Sequence, residues 1–303
     1  MTYRDILNMP KSDNMTKFYT QTYTRNWPII PQETQKKLSR LKVAIAGCGS
    51  TGGGFIDGLL RLGVQSFHLA DDGGYERNNL NRQFVFLNDI DQNKATVHAR
   101  RIKELNPEAN VQVWSEGLTE NNVFDFVSDC DFVFDAIDVT TAAGMAMKLR
   151  LHEVLHEKRV PTGSALDLGY KQWLQSYNYH LGESVLKGRL SQARACKNPL
   201  HAVFEGFCSV EELPLEITEE IIRLIQNPGS SCCQLACVCF LLAGMATPYM
   251  IHFIETNRLP NLITMDLLDP YLSARGKRDR ATKTIEAHRR LRAILDGLEL
   301  KAA

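Results

Sequence analysis

Short apolar runs and amphipathic stretches alternate through the first half of the chain. LKVAIAG at residues 41–47 is an apolar run that ends in glycine, and FIDGLLRLGV at residues 55–64 has apolar positions at helical spacing. SFHLADD at residues 66–72 returns to the apolar run of a strand and ends in acidic residues. This order predicts a strand, a tight turn, a helix and a second strand.

The same alternation continues to about residue 165. We predict helices at residues 93–105, 123–129 and 141–157, and strands at residues 111–116, 130–138 and 159–165. Strands that alternate with helices favour a mainly parallel sheet. The predicted fold class is therefore α/β, with a Rossmann-like, doubly wound, mainly parallel sheet and helices on both faces.

The second half of the chain is less regular. Residues 168–179 and 261–268 have strand patterns, residues 217–226 and 233–246 have helical ones, and the rest of residues 181–231 is predicted as loops. These elements predict an added antiparallel C-terminal part. We divide the chain into a polar N-terminal arm (1–30), one α/β domain (31–272) and a basic C-terminal helix (273–303).

Composition and charge remove several classes of function. The 303 residues include 35 basic and 35 acidic ones, so no global positive field indicates a nucleic-acid partner. The apolar run at residues 235–250 contains Gly244 and Pro248 and is shorter than the roughly 20 residues that cross a bilayer. We expect a buried helix there and no membrane association. Without a secretory signal, the eight cysteines are expected to be reduced thiols in the cytoplasm.

A glycine-rich turn follows the first predicted strand. Gly47, Gly49 and Gly52 fit the pattern G-x-G-x-x-G, which lets a phosphate approach the backbone at the beginning of a helix. Asp71 ends the next strand, where an acid can bind ribose hydroxyls. The turn predicts a nucleotide site but does not distinguish NAD from ATP. The structural alternative is that the glycines only allow a tight turn and bind no ligand.

A polar block at residues 79–94, NLNRQFVFLNDIDQNK, favours ATP. An enzyme that joins a carboxylate to the α-phosphate of ATP brings two anions together, so it needs basic side chains such as Arg82 and Lys94 to neutralise phosphate oxygens. Magnesium shares that task and requires a carboxylate. Asp138, at the end of the strand at residues 130–138, would reach the same edge of the sheet as the glycine turn.

These motifs together resemble the E1-like (ThiF, MoeB and HesA) superfamily of ubiquitin-activating-type enzymes, which adenylate carboxylates with ATP and Mg²⁺. The resemblance covers residues 25–177 and continues faintly to about residue 269. It rests on GCGSTG at residues 47–52, Asp71, NLNRQ at residues 79–83, Lys94, LNP at residues 105–107 and DAID at residues 135–138.

The resemblance implies a role for each residue of the site. Asp71 would bind the ribose, Asn79, Arg82 and Lys94 the phosphates, and Asp138 the magnesium ion. Arg25 is similar to the family's arginine that reaches across a homodimer to the neighbour's ATP. The expected cofactor-binding residues are Gly47, Gly49, Ser50, Gly52, Asp71, Asn79, Arg82, Gln83 and Lys94, and the expected catalytic residues are Arg82, Lys94, Asp138 and Arg25.

Each of these residues also has a structural interpretation. Arg82 and Lys94 could be solvated surface charges, Asp138 could cap the helix that follows it, and Arg25 could serve packing beside a Trp-Pro pair. An NAD-dependent oxidoreductase, resting on the glycine turn, Asp71 and Asp72, stays open as an alternative, and so does a non-catalytic subunit of a split activating enzyme. The basic segment at residues 275–292 could contact RNA, although a solvated helix is the simpler interpretation.

The chain also departs from the family. Gly73 stands where many members have a second acid, and the paired C-x-x-C motifs of a structural zinc site do not occur, so we predict no zinc. Cys196 and Cys208 are the candidates for a catalytic thiol, with an uninvolved thiol as the alternative. The chain resembles a bare adenylation module, and we predict peptide modification in a natural-product pathway. Activation of the C-terminus of a ubiquitin-like sulfur-carrier protein is the alternative.

Overall fold

The structure is a computed structural model that describes residues 15–227, 229 and 232–302. Seven strands in this part of the chain form one sheet: β1 (Lys42–Ala46), β2 (Ser66–Ala70), β3 (Asn110–Trp114), β4 (Phe132–Asp135), β5 (Thr162–Leu168), β6 (Lys171–Tyr177) and β7 (Leu262–Asp266). Their order is β3-β2-β1-β4-β5-β6-β7. Strands β1 to β5 are parallel, β6 is antiparallel to β5, and β7 is antiparallel to β6. The predicted fold class and its antiparallel C-terminal part are confirmed.

Helices connect the strands and cover the sheet. They are α1 (Lys17–Thr22), α2 (Gln32–Arg40), α3 (Ser50–Leu62), α4 (Lys94–Leu105), α5 (Val123–Val127), α6 (Ala142–Lys158), α7 (Leu190–Ala195), α8 (Pro199–Gly206), α9 (Leu215–Gln226), α10 (Ala236–Thr256) and α11 (Ala274–Ala302). The elements predicted for the first half all occur, with ends that differ by a few residues. Helices α7 and α8 lie where the sequence pattern predicts loops.

The hydrophobic core has two main clusters, one on each face of the sheet, and a small third one around Tyr75 and Val97. Successive side chains of a strand point to opposite faces. Accordingly, Val43 and Ile45 of β1 pack into one cluster with Phe134, whereas Ala44 packs into the other cluster with Val133. All five side chains are fully buried. Helices therefore cover both faces of the sheet, and the strand ends that carry polar residues are rigidly supported.

Helix α10 packs closely against α3 through two glycines. A Cβ atom at Gly54 would lie 2.5 Å from the carbonyl oxygen of Cys239, and one at Gly58 would lie 2.3 Å from that of Ala243. By length and composition α10 could cross a membrane, but Leu242 and Tyr249 on it are buried in the core. The helix begins three residues later than the predicted span of 233–246 and continues to Thr256.

The described part of the N-terminal arm is attached to the C-terminal end of α3. Tyr19 and Tyr23 are buried, and their hydroxyls donate hydrogen bonds of 2.8 Å to the carbonyl of Gly63 and 2.9 Å to that of Leu60. Carbonyls at a helix end have no partner within the helix, so these contacts fix the arm in place. Residues 1–14 of the predicted arm lie outside the described residues.

Helix α11 spans most of the segment predicted as a basic helix and packs along α9. Arg280 forms ion pairs of 2.8 Å with Glu216 and 2.7 Å with Asp266, and Arg290 forms one of 2.8 Å with Glu219. These basic side chains therefore have acidic partners in their own chain. The division of the chain into arm, domain and terminal helix stays a prediction.

Candidate nucleotide-binding site

The candidate site lies where the connections of the sheet change direction. Strand β1 leads to β2 on one side, and its other neighbour is β4. In open α/β sheets such a switch point leaves a crevice at the carboxyl ends of the strands, where ligands bind. The glycine turn follows β1, Asp71 follows β2, and Asp138 follows β4. The fold thus brings the predicted residues of three separate segments to one edge.

The three glycines of the turn serve different purposes. Gly47 has φ of +90°, and a Cβ there would lie 2.4 Å from the carbonyl oxygen of Ala136, while a Cβ at Gly52 would lie 1.8 Å from that of Gly47. Both positions therefore exclude a side chain. A Cβ at Gly49 would meet only the side-chain amide of Gln83, at 3.8 Å. The surface beside Gly49, at the beginning of α3, is accessible to an anion.

Asp71 is held in a fixed orientation below the turn. Its Oδ2 accepts a hydrogen bond of 2.7 Å from the backbone N–H of Cys48, and its Oδ1 accepts one of 2.8 Å from that of Gly73. Burial raises the pKa of Asp71, and the charge of Lys94 opposes this rise. Because each carboxylate oxygen can accept about two hydrogen bonds, both retain capacity for ribose hydroxyls.

Lys94 approaches Asp71 through the space left by Gly73. Asn93 caps α4 by accepting a hydrogen bond of 3.0 Å from the N–H of Thr96, which places Lys94 at the first position of the helix. A Cβ at Gly73 would lie 3.0 Å from Lys94 Nζ and 3.1 Å from Asp71 Oδ1. The glycine that departs from the family pattern thus gives the lysine room beside the ribose acid.

A short 3₁₀ turn (Arg77–Asn81) carries Asn79, and Arg82 and Gln83 follow directly after it. The side-chain oxygen of Asn79 accepts a hydrogen bond of 3.0 Å from the N–H of Glu76, so its amide stabilises the turn. Arg82 Nη1 donates to the carbonyl of Asn78 at 2.9 Å. Among the described residues, Arg82 Nε and Gln83 Oε1 are buried without a hydrogen-bond partner. Burial lowers the pKa of Arg82.

Asp138 lies at the same edge, with its carboxylate bound to its own loop. Its oxygens accept hydrogen bonds of 2.8 Å from the N–H of Thr140 and 2.9 Å from the Thr140 hydroxyl. The residue is exposed. Across the described ranges no three His, Cys, Asp or Glu side chains are grouped so as to hold a metal ion. A magnesium ion bound by one carboxylate, phosphates and water needs no such group, and the predicted role of Asp138 stays a prediction.

Arg25 lies away from the glycine turn of its own chain. It is exposed on the 3₁₀ turn Thr24–Asn26, and the neighbouring Asn26 donates a hydrogen bond of 3.2 Å to the carbonyl of Leu62. That contact is at the C-terminal end of α3, whereas the glycine turn is at the other end, roughly 18 Å away at 1.5 Å per residue. The structure therefore does not assemble Arg25 with the other predicted residues.

Asp167 is a site residue that the sequence analysis missed. It lies near the carboxyl end of β5, and its Oδ2 accepts a hydrogen bond of 2.8 Å from the hydroxyl of Ser50, the first residue of α3. Burial raises the pKa of Asp167, and the charge of Arg82 opposes this rise. The signal was present in the sequence, because an acid at the end of a strand had already indicated Asp71 and Asp138.

A buried charged network behind the site was also missed. Asp135, the first acid of the DAID motif, forms an ion pair with Lys148 and accepts a hydrogen bond of 3.0 Å from His152. Lys148 also donates to the hydroxyl of Ser164 at 3.0 Å. Burial tends to raise the pKa of Asp135, but Lys148 and His152 together hold it at about 2. The network joins α6 to the strands just before Asp138.

The structure gives the two candidate thiols different surroundings. Cys208 is buried, and burial raises the pKa of its thiol to about 12, which argues against a catalytic thiolate there. Cys196 is half-buried, and its thiol donates to the carbonyl of Gln192 at 3.3 Å. The expectation that residues 232–239 form a buried helix is only partly right, since Cys232 and Cys233 are exposed and precede α10.

Comparisons with known proteins agree with this geometry. A sequence profile of the ThiF family matches residues 22–289. The sulfur carrier protein ThiS adenylyltransferase of Bacillus subtilis (strain 168) is 32% identical over 114 residues, which make up 37% of this chain and 34% of that protein. The chain therefore matches about a third of the length of that curated relative.

Solved structures show the same fold. Escherichia coli TcdA, a tRNA N6-threonylcarbamoyladenosine dehydratase solved with ATP, superposes with a TM-score of 0.56 at 18% identity, covering 80% of this chain and 98% of TcdA. Escherichia coli MccB, solved with MccA-N7isoASN, superposes with a TM-score of 0.59 at 20% identity, covering 87% of this chain and 73% of MccB. The profile covers most of the chain, including every strand of the sheet and the glycine turn, and the chain belongs to the ThiF family.

Proposed function

We propose that the protein uses ATP and Mg²⁺ to adenylate a carboxylate, which gives an acyl adenylate and pyrophosphate. One observation carries this proposal: Asp71 accepts a hydrogen bond from the glycine turn, Lys94 lies beside Asp71, and the Gln83 amide faces the open side of the turn. We infer that the acid binds a ribose and that Lys94 and Arg82 bind phosphates.

The residues of the site divide the work of adenylation between them. Backbone N–H groups beside Gly49 bind phosphate at the beginning of α3. Lys94 and Arg82 neutralise the charge that grows on the phosphates as the carboxylate attacks and pyrophosphate leaves. Asp138 would hold Mg²⁺, which when bound withdraws charge from the phosphate oxygens. Asp138 is exposed, and its carboxylate accepts hydrogen bonds from Thr140 of its own loop, so it can turn towards an ion without disturbing the core.

The substrate that we propose is a carboxylate of a peptide, modified in a natural-product pathway. Two observations support it: the fold is shared with MccB, whose solved complex holds MccA-N7isoASN, and the sequence has no paired C-x-x-C motifs. A ubiquitin-like sulfur-carrier protein fits the site equally well, because the curated relative is an adenylyltransferase of ThiS. Arg25, exposed at the far end of α3, is proposed to act on the neighbour's ATP in a homodimer.

Exchange of labelled pyrophosphate into ATP tests the proposal. We expect exchange that depends on Mg²⁺ and on a carboxylate substrate, with the MccA peptide and a ThiS protein as the first two probes. Arg82→Ala should abolish the exchange. Arg77→Ala is the matched control, since Arg77 is an exposed arginine on the adjoining turn. Tight binding of NADH with no binding of Mg-ATP would instead support the oxidoreductase alternative and overturn the proposal.

A further inference from the structure

A carboxylate lies within the candidate phosphate site, where electrostatics alone would disfavour it. The Asp167 side chain accepts a hydrogen bond of 2.8 Å from the Ser50 hydroxyl at the beginning of α3, and the adjacent Thr51 helps to lower the pKa of Asp167. Ser50 and Thr51 belong to the first turn of the helix, whose N–H groups are the predicted phosphate contacts. The Gln83 side chain lies above Gly49 in the same turn. Asp167 and the segment of Arg82 and Gln83 therefore approach one short stretch of backbone.

The charge of Asp167 acts on Arg82. Asp167 is the largest of the charges that raise the pKa of Arg82 against the effect of burial, and Arg82 in turn lowers the pKa of Asp167. Arg82 Nη1 is bound to Asn78 and Asn81, whereas its buried Nε has no hydrogen-bond partner among the described residues. The guanidinium thus feels the charge of Asp167 and keeps one buried donor unused.

The Ser50 hydroxyl also interacts with Asp167, through a hydrogen bond. A hydroxyl has one hydrogen to donate, and Ser50 donates it to Asp167. In this arrangement the hydroxyl has only lone pairs left for a ligand, and lone pairs cannot bind a phosphate oxygen. Ser50 can therefore contact phosphate as a donor only after it leaves Asp167.

We propose that Asp167 is an internal competitor of ATP, which occupies the Ser50 hydroxyl and attracts the Arg82 guanidinium until phosphate oxygens take its place. Asp167 is thus a positioning residue that keeps these donors ordered and sets the affinity for anionic nucleotides. The inference rests on the proposed function, because it assumes that phosphates bind beside Gly49. It predicts that removal of the Asp167 charge strengthens nucleotide binding, whereas loss of an ordinary binding residue would weaken it.

The test compares ligands that share the adenosine group and differ in charge. Asp167→Asn keeps an oxygen that accepts the Ser50 hydrogen bond and removes the negative charge. Calorimetry on the full chain should show ATP binding about tenfold more tightly to this variant, the equivalent of one pKa unit of interaction, with a smaller gain for AMP and no change for adenosine. A merely structural role would shift all three ligands alike.

Two further variants keep the test decisive. Glu157→Gln removes the same charge from an exposed acid at the far end of α6 and should leave all three affinities unchanged. Asp167→Ser removes the charge with a smaller side chain and replaces Asp167→Asn if thermal unfolding shows that Asp167→Asn is poorly folded. Its gain in affinity should likewise be largest for ATP, smaller for AMP and absent for adenosine.

The contrary outcomes are distinct. If Asp167→Asn binds ATP more weakly than the parent protein in Mg²⁺ but equally well in EDTA, Asp167 is a magnesium ligand. That result would overturn the proposal that Asp167 competes with ATP. Equal affinities in the parent and variant proteins would also overturn it and leave the proposed adenylation intact. No binding of Mg-ATP by the parent protein would refute the proposed function itself, and the inference with it.

Discussion

Asp135 and Lys148 form an ion pair that is buried completely beneath the loop of Asp138, with side-chain exposures of 0% and 1%. The pair joins the end of β4 to α6, and His152 adds a second contact to the same carboxylate at 3.0 Å. Asp138 follows Asp135 by three residues, so the strand end that carries the predicted magnesium ligand is anchored by charge as well as by packing.

Removal of the lysine should be strongly destabilising. Lys148→Ala leaves the Asp135 carboxylate buried without its main partner, and breaking a buried pair in this way costs about 3–5 kcal/mol. The free energy of unfolding measured with urea should fall by that amount at pH 7. Glu157→Ala, at the exposed end of the same helix, is the control and should change it by less than about 0.5 kcal/mol. A small effect of Lys148→Ala would mean that His152 alone compensates the charge.

The same ion pair predicts how stability depends on pH. The pKa of Asp135 is lowered from 3.8 to about 2 in the folded protein, so its contribution is fully present above about pH 4 and is lost as the pH falls to 2. In Lys148→Ala, burial should instead raise the pKa of Asp135 above its unfolded value, and the destabilisation should shrink as the pH falls from 7 towards 4. Urea titrations of both proteins across this range check the sign. A destabilisation that grows on acidification would contradict it.

The sequence determined the outline of this site because its residues lie at the ends of strands. A glycine turn after one apolar run and acids after the next runs must meet at one edge of a parallel sheet, which places Gly49, Asp71 and Asp138 without any knowledge of packing. Asp135 and Lys148 could not be paired from the sequence, because they are linked only by the packing of α6 on the sheet. The buried Tyr19 was hidden for a similar reason, since a short polar segment gives no periodic signal of what it packs against.

Lys94 and Asp71 should affect nucleotide binding in different ways. Lys94→Met removes a charge that is placed for phosphate, so ATP should bind about tenfold more weakly while adenosine binds as before. Asp71→Asn retains the side-chain shape but replaces one acceptor oxygen by a donor NH₂ group. The loss of ribose contacts should therefore weaken ATP, AMP and adenosine by similar factors. Calorimetric titration with ATP, AMP and adenosine measures these changes in affinity. If both variants change the three affinities in the same way, the assignment of Asp71 to the ribose and Lys94 to the phosphates is contradicted.

Asp138 should matter only when magnesium is present. Asp138→Asn keeps an oxygen that can accept the hydrogen bond from the Thr140 N–H, so the loop should stay in place. We expect pyrophosphate exchange to fall at least 100-fold, about 2.7 kcal/mol of transition-state stabilisation, whereas binding of ATP in EDTA should not change. Weaker binding in EDTA would indicate that Asp138 acts through the structure of its loop.

The contact between α3 and α10 gives a prediction about the scaffold of the site. An added Cβ at Gly58 would lie 2.3 Å from the carbonyl oxygen of Ala243 and 2.9 Å from the Cβ of Ala246, so Gly58→Ala must push the helices apart. Overpacking of this kind costs about 1–3 kcal/mol, more than the ~1 kcal/mol gained from the helix propensity of alanine.

Gly244→Ala is the matched control on α10, since no atom lies within 4 Å of the added Cβ. It should raise the unfolding temperature while Gly58→Ala lowers it. Because α3 begins at the glycine turn, a displaced α3 should also weaken ATP binding in Gly58→Ala and leave it unchanged in Gly244→Ala. Equal thermal shifts for the two variants would show that the helices can separate at no cost, and would contradict the view that close packing of α10 holds the nucleotide-binding turn in position.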